Sequence, residues 1–367
     1  MEIPTGVNTV NTYTDSRFPA PALHYVCVPE DNGGVLLNVL RDKLGIFTTT
    51  LRRLKSGSGI FLNGQAVHVR EKLKAGDRVD IDLSAAETPS EIPPEPLELD
   101  VVFENAGVLA VNKPANSVVH PTCFHRENTI AAGIVNYYRA HGINAGMHFV
   151  NRLDLGTSGL LLCAKAGLIQ ERLKLQAETG QYTKLYLGVL DTARFLQKNA
   201  LKRGFRGLIE AGISRDTRSI IKRRIDPQGK PAVTFFKILE TDTAADKALA
   251  AFSLATGRTH QIRVHLSGIG LPLTGDSLYA PDCEGGDTHQ LLHQYKTKFT
   301  DPLDGASVTI ECPVIKEISD VFPAVFHGGL LTGAYAGLID DISSRAGIDV
   351  ALPDYIDGAL FDFHVRL

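Results

Sequence analysis

Residues 87–98, ETPSEIPPEPLE, carry four prolines in twelve positions. Proline lacks a backbone N–H and fixes φ, so neither a helix interior nor a central strand can run through such a segment. It reads as an extended linker that divides the chain into a short leading part and a long following part. At 367 residues the chain exceeds what one core usually serves, so two domains plus extensions are expected.

Ahead of the linker, residues 28–86 read as a small domain, and residues 1–27 as an N-terminal extension. Apolar residues recur at helical spacing from Leu36 to Leu54, with a break that predicts two short helices. IFLNGQAV places an Asn-Gly pair between apolar runs and predicts a β-hairpin, and AGDRVDIDL alternates as a half-buried strand does. Residues 34–78 hold nine Lys or Arg against three acidic residues, while residues 326–367 hold six Asp against two Arg. That asymmetry fits a localised polyanion-binding face on the leader, with Arg52, Arg53 and Lys55 as candidate contacts.

Beyond the linker, residues 99–325 read as a mixed α+β domain with a substantial, mixed or antiparallel sheet. LDVVFENAGVLAVNKP predicts two strands around a turn; GLLLCAK, TKLYLGVL, Ala232–Leu239, Ala250–Leu254 and Val308–Cys312 predict further strands. Asn128–His141 and Leu168–Glu178 predict helices. Residues 326–367 form an acidic C-terminal extension whose structure the sequence leaves open, between a docked helix and other packing. No apolar run reaches the roughly 18 residues a membrane span needs, and the N-terminus has neither the basic start nor the apolar stretch of a signal peptide. The five cysteines are scattered without a CxxC pair, which argues against a disulfide framework or a cysteine zinc site and for buried, inert thiols.

Two segments concentrate polar chemistry. The first is Asn151-Arg152-Leu153-Asp154-Leu155-Gly156-Thr157-Ser158-Gly159, directly before a buried strand. A scaffold holds a loop most rigidly there, and Thr157 to Gly159 suit a tight turn that fixes the Asp154 carboxylate. On residues alone, an ordinary Arg-Asp surface pair beside a turn is the better explanation of this segment. The second runs from Thr256 to His265, where Arg258, His260, Gln261, Arg263 and His265 crowd around two aliphatic side chains. Such planar donors suit phosphate, base edges or carboxylates. The five-residue gap between His260 and His265 fits neither a helical nor a strand-borne metal pair.

With their surroundings, these segments resemble the RluA-type family of pseudouridine synthases. NRLDLGTSGLLLCAK (Asn151–Lys165) is similar to the family's HRLDxxTSGLLLxAK, and Lys184-Leu185-Tyr186-Leu187-Gly188-Val189 to its KxYxAxV run. Thr256 through Tyr279 matches TGRTHQIRVHLxxxGxPxxGDxxY, and Asn112–Pro121 is similar to NKPxGxxVHP. The leader resembles the RNA-binding module named for small-subunit ribosomal protein S-four.

The resemblance implies an isomerase that converts uridine to pseudouridine in structured RNA, with Asp154 as the catalytic carboxylate and Tyr186 and Arg263 beside it. It implies that Arg152 enters the stack vacated by the flipped uridine, that Ile262 packs under the base, and that Thr157, Arg258, His260 and Gln261 complete the substrate site, the last two chiefly by organising their loop. Ribosomal RNA is the expected substrate and transfer RNA the alternative. No metal, cofactor, DNA or membrane partner is expected, and a cytoplasmic monomer is. Two departures stand out: Asn151 replaces the family's common His, and Leu155-Gly156 replaces a commonly basic and acidic pair. A non-catalytic RNA-binding protein would not need Asp154 and Tyr186 together, and a carboxylate-dependent hydrolase would need another acid to work with Asp154.

Overall fold

The computed structural model describes residues 21–123, 125–193, 195, 201–281, 289–327 and 364–366. Its leader sheet contains β1 (Ala22–Val26), β2 (Ile60–Leu62), β3 (Gln65–Ala66) and β4 (Arg78–Asp82), in the order β1-β4-β2-β3. Asn63 and Gly64 turn the β2–β3 hairpin with φ of 50° and 81°, the pair of positive angles that a two-residue turn demands and that Asn-Gly adopts at least cost. Strand β1 falls inside the segment expected to be an N-terminal extension and pairs with β4 from Ala22 to Val26. A turn of helix α1 (Leu36–Asn38) runs on as a π-helical stretch over Val39–Lys43, and α2 spans Thr48–Ser56. Leu36, Leu40, Leu51 and Leu54 bury against Val79 and Ile81 of β4. The alternation expected along β4 breaks at Asp80, which is fully buried because His24 (2.8 Å) and Arg78 (3.2 Å) satisfy its carboxylate.

Residues 87–98 hold no helix or strand, as four prolines require. They are nonetheless docked. The Glu87 carboxylate accepts the backbone N–H of Gly167 (2.8 Å) and meets His148 Nε2 at 2.6 Å.

The large sheet contains β5 (Val101–Glu104), β6 (Val108–Lys113), β7 (His148–Phe149), β8 (Ser158–Ala164), β9 (Thr183–Asp191) and β10 (Arg206–Glu210). After a separate hairpin of β11 (Ile213–Arg215) and β12 (Arg223–Ile225), it continues with β13 (Val233–Asp242), β14 (Lys247–Leu254), β15 (Leu292–Thr300) and β16 (Ser307–Glu311). Strand β17 (His364–Arg366) pairs with β10, giving the order β17-β10-β13-β14-β9-β15-β8-β6-β5, with β16 on β15 and β7 on β8. Every pairing is antiparallel except that of β15 with β8. With helices α3 (Ile130–Ala140), α4 (Gly167–Glu178), α5 (Gln261–Gly268), α6 (Lys316–Ser319) and α7 (Pro323–His327), this is the expected α+β class.

Strand β8 is buried on both faces, which is why GLLLC reads as a continuous apolar run. Leu160 and Leu162 join the core that contains Leu168, Ile169 and Leu173 of α4, whereas Leu161 and Cys163 join the one containing Ile130, Ile134 and Tyr138 of α3. Helix α3 starts where Thr129 accepts the backbone N–H of Ala132. Cys27, Cys163 and Cys312 are buried as expected, but Cys123 is exposed; Cys283 lies outside the described residues. So do residues 1–20 and 328–363 of the expected extensions. Among the described residues no helix is long and apolar enough to cross a membrane.

Candidate active site

A cleft of about 370 Å³ opens where the Asn151–Thr157 loop, strand β9 and the start of α5 converge. Asp154 reaches it from the loop, Lys184 and Tyr186 from β9, and Arg258, His260, Ile262 and Arg263 from the Thr256–Arg263 segment.

The Asp154 loop is pinned from several sides. The Thr157 N–H donates to the Asp154 carbonyl at 3.0 Å, closing the expected turn. The Thr157 hydroxyl accepts from Gln290 Nε2 at 3.1 Å, so this side chain fixes the loop from within the protein. The Leu155 carbonyl accepts both the Asn116 N–H (2.9 Å) and the Lys113 amine (3.1 Å). Lys113 is wholly buried and spends its other donors on the carbonyls of Pro114 and Ser117, each at 2.9 Å. Burial lowers its amine to about 8, with Asp154 pulling the other way. Asn151 is structural too. Its amide donates to the Leu160 carbonyl and Gln294 Oε1, and its Oδ1 accepts the Leu162 N–H. At Gly159, φ is +105° and a Cβ would collide with the Gln294 backbone, so only glycine permits the β8–β15 approach beneath the loop.

His260 adopts the left-handed conformation (φ 58°, ψ 22°) just before α5, a turn that brings the 256–260 segment over the cleft. Gln261 locks that turn. Its Nε2 donates to the Val233 carbonyl and the Thr234 hydroxyl, while its Oε1 accepts from Arg258 N and the Thr256 hydroxyl. Both polar atoms of its amide are thereby occupied inside the protein. Arg258 is exposed at the rim and donates Nε to the Pro231 carbonyl. The two histidines diverge. His260 lies with Nε2 3.9 Å from Asp154 Oδ2, whereas His265 is buried against Thr234 and the Ala211 carbonyl.

Arg263, on the first turn of α5, places Nη1 3.5 Å from Asp154 Oδ2. Burial opposes its charge, yet Asp276 and Asp154 together raise its affinity for the proton. Ile262 is buried in the core at the cleft floor. Tyr186 is nearly buried, its hydroxyl has no hydrogen-bond partner among the described residues, and burial drives its ionisation well above the usual phenol range, with Tyr182 and Asp154 adding to the effect. Arg152 is exposed at the rim and makes no ion pair among the described residues. Lys184 points into the same cleft, where burial lowers its amine.

Four further residues belong to this site. Lys113 supports the loop, Lys184 adds a cation, and Asp276 takes Arg263 in a fork of two 2.8 Å bonds. Tyr279 bonds His260 Nδ1 at 2.8 Å through its hydroxyl. All four stand within the segments that carry the resemblance; what the sequence lacked was any indication of which side chains meet. Among the described residues no three His, Cys, Asp or Glu side chains are grouped so as to hold a metal ion.

A family model described as RNA pseudouridylate synthase matches residues 107–268. An uncharacterised RNA pseudouridine synthase of Bacillus subtilis, YhcT, is 33% identical over 300 residues, spanning 81% of this chain and 95% of its own. Ribosomal large subunit pseudouridine synthase D of Neisseria meningitidis is 33% identical over 277 residues, or 72% of this chain and 71% of its own. A solved human structure, RNA pseudouridylate synthase domain containing 1, aligns with 60% of this chain and 85% of its own at 26% identity and a TM-score of 0.46.

Proposed function

The chain belongs to the RluA-type family of RNA pseudouridine synthases, isomerases that convert uridine to pseudouridine in RNA, and we propose that it modifies ribosomal RNA with Asp154 as the reacting carboxylate. The observation that carries this reading is the meeting of Asp154 and Arg263. They are 109 residues apart in sequence, and Nη1 of one lies 3.5 Å from Oδ2 of the other inside the cleft that Tyr186 and Ile262 also line. Arg263 sets a cation beside the carboxylate, whose oxygen is the nucleophile able to add to a sugar or base carbon.

In this reading the uridine leaves its stack and enters between Tyr186 and Ile262. Flipping costs a few kcal/mol, and the exposed Arg152 guanidinium, two residues from Asp154, is free to fill the vacated place. Tyr186 faces the base as a neutral phenol, since burial disfavours its anion. Arg258 at the rim takes backbone phosphate. Arg52, Arg53 and Lys55, all exposed on α2, give the leader a grip on the same RNA. Ribosomal RNA is favoured because curated relatives carry that substrate in their names.

Isomerisation breaks the ribose bond to N1, joins the ribose to C5 and releases the C5 hydrogen. Unmodified large-subunit ribosomal RNA and transfer RNA transcripts carrying tritium at uracil C5 therefore give a direct assay. Release is expected from the ribosomal transcript and should vanish with Asp154→Ala. Release from transfer RNA alone would move the substrate to that class. Undiminished release by the Asp154→Ala protein would end the assignment of the carboxylate.

A further inference from the structure

Arg263 is shared unequally between two carboxylates. Asp276 takes Nε and Nη2 in a fork of two 2.8 Å bonds, while Asp154 receives only Nη1, at 3.5 Å. Asp276 is held firmly enough to impose this division. It is 1% exposed, it follows Gly275 in a left-handed turn, and its carboxylate accepts the Tyr279 N–H at 3.2 Å. The Tyr279 ring covers the guanidinium, with its centroid 5.1 Å from Cζ. The guanidinium is thus fixed at one edge and one face.

The consequence falls on Asp154. Among the described residues both groups that approach its carboxylate, Arg263 at 3.5 Å and His260 at 3.9 Å, approach Oδ2. Oδ1 has no hydrogen-bond partner among the described residues. An arginine offered a single carboxylate tends to form a two-bond fork with it, and a fork on Asp154 would occupy both oxygens. The other charged or titratable groups around the pair are His260 and Tyr279, Tyr186 on β9, Arg223 near His260, and Lys113 beneath the Asp154 loop.

Taking Asp154 as the reacting carboxylate, we propose that Asp276 is a positioning residue that holds Arg263 short of a full ion pair with Asp154, leaving Oδ1 of Asp154 free for the substrate. Arg263 then steadies the carboxylate's charge without immobilising it. Asp276 acts only through the guanidinium and touches no reacting atom.

The test compares Asp276→Asn and Asp276→Glu with the wild type in the tritium-release assay on ribosomal RNA transcript, with kcat and KM followed against pH and folding followed by thermal melting. Removing the charge of Asp276 gives Asp154 the whole guanidinium. A fall in kcat on the order of 100-fold is expected, with KM unchanged and the acidic limb of the rate profile moved to lower pH. Asp276→Glu keeps the charge and loses less. In an Arg263→Lys background, where no fork can form, Asp276→Asn should add nothing further.

A folded Asp276→Asn protein with wild-type kcat and an unmoved acidic limb would overturn the proposal, as would a full additional loss in the Arg263→Lys background. Should Asp276→Asn fail to fold, Asp276→Glu decides through the same background: its loss of kcat should disappear in Arg263→Lys, and an equal loss in both backgrounds overturns the proposal. Failure of the functional reading itself is seen separately, in the wild type and Asp154→Ala.

Discussion

Asp154 is followed by Leu155 and Gly156, where the family commonly carries a basic and an acidic residue, and the two positions differ in what they tolerate. The Leu155 side chain is 49% exposed and only its carbonyl is engaged, by Lys113 and Asn116. Gly156 is different: a Cβ there would press on the side chains of Gln290 and His289. Gln290 is the residue that donates to the Thr157 hydroxyl and so steadies the Asp154 turn. Leu155→Lys should therefore change stability by no more than about 0.5 kcal/mol. Gly156→Glu should cost about 2 kcal/mol or more, through overpacking and the lost bond at Thr157. Urea unfolding of the two variants checks this, and equal losses would show that Gly156 is not confined by Gln290. The other departure, Asn151, has its own explanation. Three hydrogen bonds tie it to Leu160, Leu162 and Gln294, so it stitches the loop to β8 and β15.

Elements whose apolar period matches their burial were legible in the sequence. The hairpin at Asn63-Gly64, helix α3 and strand β8 all fall where predicted. Helix α2 shows why: Leu51 and Leu54 are buried three residues apart, while Arg52, Arg53 and Lys55 lie exposed between and after them. That exposed basic face makes a prediction about RNA. Each phosphate contact releases condensed counterions, so replacing Arg52 and Arg53 by Ala should weaken binding to ribosomal RNA transcript and reduce the slope of log K against log salt by about 1.5. An unchanged slope in a binding titration would remove these residues from the interface. Elements that bury polar side chains were illegible. Strand β15 carries His293 and Gln294 fully buried because Ser158 and Asn151 receive them, and no alternation betrays such a strand. Helix α5 buries Gln261, Arg263 and His265, so the segment reads as a polar loop until Thr234, Asp276 and Ala211 are seen to partner it.

Across the whole molecule, strand order escaped the sequence because β15, near the end of the sheet-forming chain, inserts between β9 and β8. Local pattern carries no information about such a long-range insertion, and the proximity of Asp154, Tyr186 and Arg263 depends on it. The same burial makes a global prediction about pH. His265 in α5 and His293 in β15 are almost free of solvent, and burial lowers each to about 4, with backbone carbonyls only partly opposing it. In the unfolded chain both return to an ordinary value near 6.5. Between those limits the folded protein keeps each ring neutral while the unfolded chain takes up a proton. Stability is therefore full above about pH 6.5 and is lost as pH falls toward 4, by about 3 kcal/mol for each histidine. Below 4 both states are protonated and these two groups add no further loss. His265→Gln retains a polar group toward Thr234 and the Ala211 carbonyl but cannot titrate. Its stability should start lower and then fall less steeply, by one proton, or about 1.4 kcal/mol per pH unit. Urea midpoints and m-values collected from pH 7 to pH 4 measure the difference directly. Parallel curves for the wild type and His265→Gln would mean that this histidine is not held neutral in the folded core.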